Sequence, residues 1–198
     1  MMVYLVDDDP SVRKALGRLL RAAGHEVTVF ASGPEFLEGR NGAAPACVVL
    51  DMAMPECTGL DVQDALLARG DATPIIFLTG RADVPMCAKA MKRGAADFLT
   101  KPVEESDLLA AVGDALKISR EGNEEKAERD GILVRLAKLT PREREVLDLV
   151  ITGMLNKQIA AELGATEKTI KVHRGRVMEK MGVRSVAELV RLVARADK

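Results

Sequence analysis

Three consecutive aspartates, Asp7, Asp8 and Asp9, follow the apolar run Val3-Tyr4-Leu5-Val6, and Asp51 follows Cys47-Val48-Val49-Leu50. A hydroxyl, Thr79, follows Ile75-Ile76-Phe77-Leu78, and an ammonium, Lys101, comes shortly after Phe98-Leu99. Each group that could do chemistry therefore stands where an apolar run ends. Short β-branched and aromatic runs separated by helix-length stretches read as buried parallel strands. In such sheets ligands bind just beyond the carboxyl ends of the strands. Carboxylates, a hydroxyl and an ammonium would then meet at one edge, a combination suited to a cation and a phosphate.

The chemistry this allows is specific. Asp7, Asp8 and Asp51 supply the oxygen ligands that Mg²⁺ prefers, with waters and a phosphate oxygen completing its octahedron. The cation would offset repulsion between the carboxylates and an incoming phosphoryl group. Lys101 would neutralise a phosphoryl oxygen, and the Thr79 hydroxyl would hydrogen-bond it. The expected product is an aspartyl phosphate. A hydrolytic rival, the haloacid dehalogenase phosphatases, needs a second Asp two residues after the nucleophile as general acid/base. Ala53 stands there and cannot move a proton, and no Walker loop is present. No enzyme is expected.

The elements that must position these groups are strands at about 2–6, 26–30, 46–50, 74–78 and 96–99. Helices at 10–23, 33–39, 58–69, 83–93 and 104–118 alternate with them. Asp9 before Pro10 is a good N-cap and first-turn pair, and Gly24, Gly70 and Gly94 fall where helices should stop. Five βα units predict a doubly wound α/β domain with a five-stranded parallel sheet over 1–118. Residues 119–138 change character: Ser119-Arg120-Glu121-Gly122-Asn123 breaks the pattern. Five acidic and five basic side chains balance in this stretch, which reads as a charged, partly helical linker.

From Leu139 to the end at 198 a small all-α domain of four helices is expected. Thr140-Pro141-Arg142-Glu143 is a capping box with Pro at the first helical position, opening a helix to about 152–153. A helix at 156–163, a Gly164-Ala165 turn and a helix capped by Thr166 to about Met181 follow. Ser185-Val186-Ala187-Glu188 is a second capping box. Charge separates the halves: residues 1–118 hold 12 Lys/Arg against 17 Asp/Glu, whereas 139–198 hold 12 against 8. In the third helix of this half Ile170, Val177 and Met181 face inward, while Lys168, Lys171, His173, Arg174 and Arg176 make a cationic outer face suited to a DNA major groove.

No run of about 18 apolar residues exists to span a membrane, and the chain opens directly on strand character, so neither an anchor nor a secretory leader is expected. Cys47, Cys57 and Cys87 are an odd number without paired spacing, read as thiols of a cytoplasmic protein.

The first 118 residues resemble the receiver domain of two-component response regulators. Asp7-Asp8, Asp51 with Pro55 and Gly59, Thr79 and Lys101-Pro102 carry the likeness. Leu78-Thr79-Gly80-Arg81-Ala82-Asp83-Val84-Pro85-Met86 and Gly94-Ala95-Ala96-Asp97-Phe98 point to the FixJ-type branch. The resemblance implies a flavodoxin-like fold, with Asp51 accepting phosphate from a histidine kinase. It also implies that Asp7, Asp8, Asp51 and the carbonyl of Ala53 hold Mg²⁺, that Lys101-Pro102 is cis, and that Phe98 follows Thr79 when it moves.

Leu139-Thr140-Pro141-Arg142-Glu143, Asn156-Lys157-Gln158-Ile159-Ala160 and Thr169-Ile170-Lys171-Val172-His173-Arg174 are similar to the LuxR/NarL-type helix-turn-helix domain, over about 135–198. That likeness makes Glu167–Met181 the recognition helix. It implies Lys171, Val172 and Arg174 as base readers and Lys168, Thr169 and Arg176 as phosphate contacts. Val186, Leu189, Val190 and Val193 lie where the class commonly dimerises, and packing within the domain would use the same residues. Gly175 inside the recognition helix departs from ordinary helix composition, and two readings stay open: close backbone approach to DNA, or simple tolerance.

The expected function is a transcriptional response regulator that dimerises when phosphorylated. Its expected partners are promoter DNA and RNA polymerase. Activation is the expected sense, from the FixJ-type resemblance alone. The rival class is a DNA-binding protein whose amino-terminal domain is only a scaffold, which would have no use for the acidic set together with Lys101.

Overall fold

Five parallel strands, β1 (Met2–Val6), β2 (Glu26–Phe30), β3 (Ala46–Asp51), β4 (Ile75–Thr79) and β5 (Asp97–Thr100), form one sheet in the order β2-β1-β3-β4-β5 in the computed structural model. The structure describes residues 1–42, 45–55, 57–80 and 84–196. Arg81, Ala82 and Asp83 of the motif quoted above, and Glu56 between Pro55 and Gly59, lie outside the described residues. Helices α1 (Pro10–Ala22), α2 (Gly33–Gly39), α3 (Gly59–Ala68), α4 (Val84–Lys92) and α5 (Glu105–Ala137) complete the alternation. The sheet is doubly wound, as its five βα units predict.

The period-2 pattern of the strands explains the two layers. Tyr4, Val6, Val48, Leu50, Ile75 and Phe77 face a core with Phe36 of α2, Val62 and Leu66 of α3 and Ala90 of α4. Their neighbours Val3, Leu5, Cys47, Val49, Ile76 and Leu78 face Leu20 of α1 and Leu108, Val112 and Leu116 of α5. The central strands are apolar on both faces because both faces are covered. Asp9 caps α1 by accepting the Ser11 N–H at 2.7 Å. Gly24, Gly70 and Gly94 take φ of +86°, +66° and +87°, a left-handed conformation that only glycine adopts without strain.

One boundary differs from the sequence reading. The fifth helix does not end near 118 but continues to Ala137. Gly122 and Asn123 are poor helix formers, yet the surrounding Glu, Lys, Ala and Arg residues are good ones, and single breakers cost only about 1 kcal/mol. Arg120 and Glu124 also face one another at helical spacing.

By its internal contacts the chain divides into two units, Met1–Glu124 and Glu125–Lys198, so α5 contributes to both. The second unit packs the end of α5 with α6 (Pro141–Ile151), α7 (Asn156–Glu162), α8 (Glu167–Met181) and α9 (Val186–Ala196). Its core joins Ile132, Val146, Leu147, Val150, Ile159, Ile170, Val177, Met181, Leu189 and Val193. Thr140 and Glu143 form the reciprocal capping box, and Thr166 accepts the Thr169 N–H at 3.2 Å. The box at Ser185 is altered: Ser185 accepts the Glu188 N–H, but the Glu188 carboxylate takes the N–H of Arg184 instead. Among the described residues no helix is long and apolar enough to cross a membrane.

Candidate functional site

The acidic site sits where the strand order reverses, between β1 and β3. Asp7 follows β1 and Asp51 closes β3; Met2–Val6 pairs in parallel register with Ala46–Leu50, which sets the two carboxylates side by side. Ligand oxygens of Asp7, Asp8 and Asp51 all lie within 4.8 Å of one another. Asp7 and Asp51 are buried, whereas Asp8 is exposed and borders a recess of about 230 Å³ lined also by Ser32, Met54, Pro55 and Cys57.

Lys101 completes the cluster from far away in the sheet. It follows β5, three strand spacings from β1, roughly 14 Å. The turn after β5 and the long side chain nevertheless bring its ammonium 2.6 Å from Asp7 Oδ2 and 3.2 Å from Asp51 Oδ2. The Lys101 N–H also donates to the Thr79 carbonyl at 2.7 Å, which ties this turn to the end of β4. The peptide between Lys101 and Pro102 is cis, as the resemblance implies.

Electrostatics follows from this packing. Burial pushes the Asp51 carboxyl above the ordinary carboxylate range; Lys101 pulls it down, and Asp7 adds to the upward push. Burial opposes the charge on Lys101, but the hydrogen bond it donates to Asp7 and the two carboxylate charges hold its ammonium above the usual value. One ammonium against three clustered carboxylates leaves net negative charge in a partly buried pocket. The all-oxygen donor set of Asp7, Asp8 and Asp51 fits a hard divalent cation such as Mg²⁺. Ala53 is exposed beyond β3, and its N–H donates to Asp51 Oδ1 at 3.4 Å.

Thr79 is buried at the end of β4. Phe98 is partly buried against the core beside Phe77, ring centroids 6.4 Å apart. The roles of two contributors were not legible in sequence. Arg13, on the second turn of α1, donates to the Asp7 carbonyl at 2.6 Å and holds the acidic loop from behind. Gly59 opens α3 against the end of β3: a Cβ there would lie 2.8 Å from the Asp51 carbonyl oxygen and 2.9 Å from Phe77. The motif marked Gly59 but not its reason.

In the second unit, Lys168, Thr169, Lys171, Val172 and Arg176 all lie on the exposed part of α8, opposite Ile170, Val177 and Met181. Two members of the expected cationic face are placed otherwise. His173 is partly buried with Nδ1 shielded, because three residues after Ile170 it borders the core side. Arg174 is also half-buried and donates to Asn156 Oδ1 of α7 at 2.8 Å. Leu189 and Val193 of α9 are spent in the unit's own core, leaving Val190 exposed. Gly175 is exposed, and a Cβ there would meet nothing within 4 Å.

Comparison with known proteins agrees with this division. Residues 3–113 match the response regulator receiver domain, and residues 137–193 match the family described as bacterial regulatory proteins, luxR family. The chain is 45% identical over 194 residues to the response regulator protein TmoT of Ectopseudomonas mendocina, covering 98% of this chain and 88% of that one. The structure of the response regulator StyR superposes with a TM-score of 0.88 at 46% identity, over 98% of both chains. Full-length FixJ from B. japonicum is similar at 40% identity with a TM-score of 0.60, covering 99% of this chain and 97% of that one.

Proposed function

The chain belongs to the two-component response regulators that join a receiver domain to a LuxR-type DNA-binding domain, and from that premise we propose that Asp51 is its phosphoacceptor. The observation that carries the proposal is the convergence of Asp7, Asp8 and Asp51 within 4.8 Å under the Lys101 ammonium. Residues 1–118 act as the receiver, 119–138 as the linker and 139–198 as the DNA-binding domain. Asp7, Asp8, Asp51 and the Ala53 carbonyl hold Mg²⁺, which when bound neutralises the charge that gathers as a phosphoryl group approaches a carboxylate.

The remaining steps belong to the chain's own groups. The Asp51 carboxylate attacks the phosphorus of a ring-protonated phosphohistidine on the partner kinase; the new P–O bond forms as the P–N bond breaks, and neutral imidazole leaves, keeping the proton already on its other ring nitrogen. Lys101 and the Thr79 hydroxyl bind phosphoryl oxygens. Drawing Thr79 toward the phosphate vacates space that Phe98 fills, and the face of α4, β5 and the first part of α5 then pairs with a second copy. This is a population shift driven by differential contacts in the two states. The dimer presents two recognition helices to a promoter operator of roughly two-fold symmetry. RNA polymerase recruitment and activation follow in this reading, and the buried or half-buried thiols suit work in the cytoplasm.

Asp51→Asn tests the proposal. It should abolish labelling by a small phosphodonor in Mg²⁺ and abolish donor-induced dimerisation. Labelling at another residue, or dimer and DNA binding unchanged by the substitution, would refute the switch.

A further inference from the structure

The recognition helix α8 presents one outermost ridge at helical spacing: Lys168, Val172, Gly175 and Glu179, all exposed, with Lys171 and Arg176 flanking it. Arg174 is not on that ridge. It comes four residues after Ile170 and three before Val177, both fully buried, so its stem runs along the border of the core. Its guanidinium is turned toward α7, where it donates to Asn156 Oδ1 at 2.8 Å, and among the described residues no carboxylate pairs with it. A guanidinium has only donors, so the Asn156 amide must face it with its oxygen, leaving the NH₂ group directed away. In a helix-turn-helix the first helix crosses the nucleic-acid backbone while the second lies in the groove. The Asn156–Arg174 pair joins those two helices.

We propose that Asn156 and Arg174 form a preset phosphate clamp, and that Arg174 positions the duplex rather than reading a base. The inference rests on the reading of the second unit as a DNA-binding module, and it deepens that reading by dividing the labour on α8. One guanidinium nitrogen is fixed by Asn156; the others, with the Asn156 NH₂, are donors held ready for phosphate oxygens. Base selection falls to the ridge and its flank, where Lys168 and Lys171 bring donors and Val172 brings an exposed apolar surface of the kind that meets a thymine methyl. Glu179 at the far end of the ridge would be repelled by phosphates, so the amino-terminal half of α8 enters the groove.

The test uses the full chain, treated with phosphodonor, and two duplexes: one that the unmodified chain enriches from a random pool, and a scrambled duplex of equal length. Arg174→Ala should weaken both duplexes by the same factor and reduce the slope of log affinity against log salt by about 0.9, the loss of one phosphate contact. Reselection with this variant should return the same preferred sequence. Asn156→Ala should likewise weaken both duplexes equally, and Arg174→Lys, which preserves stem packing and charge, should recover the slope. Val172→Ala should instead change the preferred sequence at unchanged slope. Helicity measured by circular dichroism identifies any variant that fails to fold, and Arg174→Lys then carries the test. An Arg174→Ala chain that loses preference at one base pair while binding the scrambled duplex normally would overturn the clamp, as would an Asn156→Ala chain with undiminished affinity. If the unmodified chain enriches no sequence, the DNA-binding reading itself fails, a result distinct from failure of the clamp alone.

Discussion

Lys180, near the end of the recognition helix, reaches across the second unit to place its ammonium 2.6 Å from the carboxylate of Glu143, a side chain almost wholly buried. Glu143 also accepts the Thr140 N–H at 2.9 Å, so one carboxylate both caps α6 and anchors α8. The hydrogen bond from Lys180, with that from Thr140, holds the Glu143 carboxyl down to about 2.

A depressed carboxyl contributes stability that is present above its unfolded value, about 4.3, and is lost as pH falls toward its folded value. The unfolding midpoint of the second unit should therefore drop between roughly pH 4.3 and pH 2. In Glu143→Gln that part of the pH dependence should flatten, and the midpoint at neutral pH should fall. Thermal unfolding of the full chain from pH 7 to pH 2 measures both effects, and an identical slope in the variant would contradict the assignment.

Lys101→Met should destabilise the first unit, because it leaves the Asp7 and Asp51 carboxylates facing one another without their ammonium. Removing one partner of a buried pair costs up to roughly 3–5 kcal/mol. The partial exposure of Lys101 puts this case at the lower end. Added Mg²⁺ should raise the unfolding midpoint of the variant more than that of the native chain, since the cation then supplies the missing positive charge. Equal shifts in both proteins would count against a cation among these carboxylates.

Gly59→Ala and Gly80→Ala should behave oppositely. A methyl at position 59 would press on the backbone of Asp51 and Met52 and on the Phe77 ring, none of which can swing away, whereas position 80 has open space. Overpacking of this kind costs about 1–3 kcal/mol. Gly59→Ala should lower both the unfolding midpoint and the rate of phosphodonor labelling. Gly80→Ala should leave the midpoint within about 0.5 kcal/mol, the range of ordinary surface changes.

Gly175→Ala should stabilise the second unit by up to about 1 kcal/mol, the helix-propensity difference, because nothing surrounds that position. The readout is a higher unfolding midpoint. The same variant titrated with DNA reports whether the helix backbone comes within a methyl's reach of the duplex.

Much of this was legible because strands declare themselves locally. The unbroken apolar runs Val3–Val6 and Cys47–Leu50 identify buried parallel strands, and whatever follows such a strand lies at the sheet's carboxyl edge whichever way the loops run. The caps at Asp9, Thr140 and Thr166 are equally local, each joining groups two or three residues apart. Where competing local signals are finely balanced the sequence is a poorer guide: Gly122 and Asn123 are stop signals within a partly helical stretch, and the strong helix formers around them prevail.

The sequence by itself determined the α/β alternation, the identity of the acidic residues and the helical character of the second half, since each depends on periodicity or on neighbours in the chain. Only the tertiary structure decided that Lys101 meets Asp7 across 94 residues, that Arg13 braces the Asp7 carbonyl, that Lys180 turns inward to Glu143 and that Arg174 turns toward Asn156. The reason is physical. Long cationic side chains have many rotamers of similar energy, and their partners are chosen by which elements pack within reach, a property of the assembled fold.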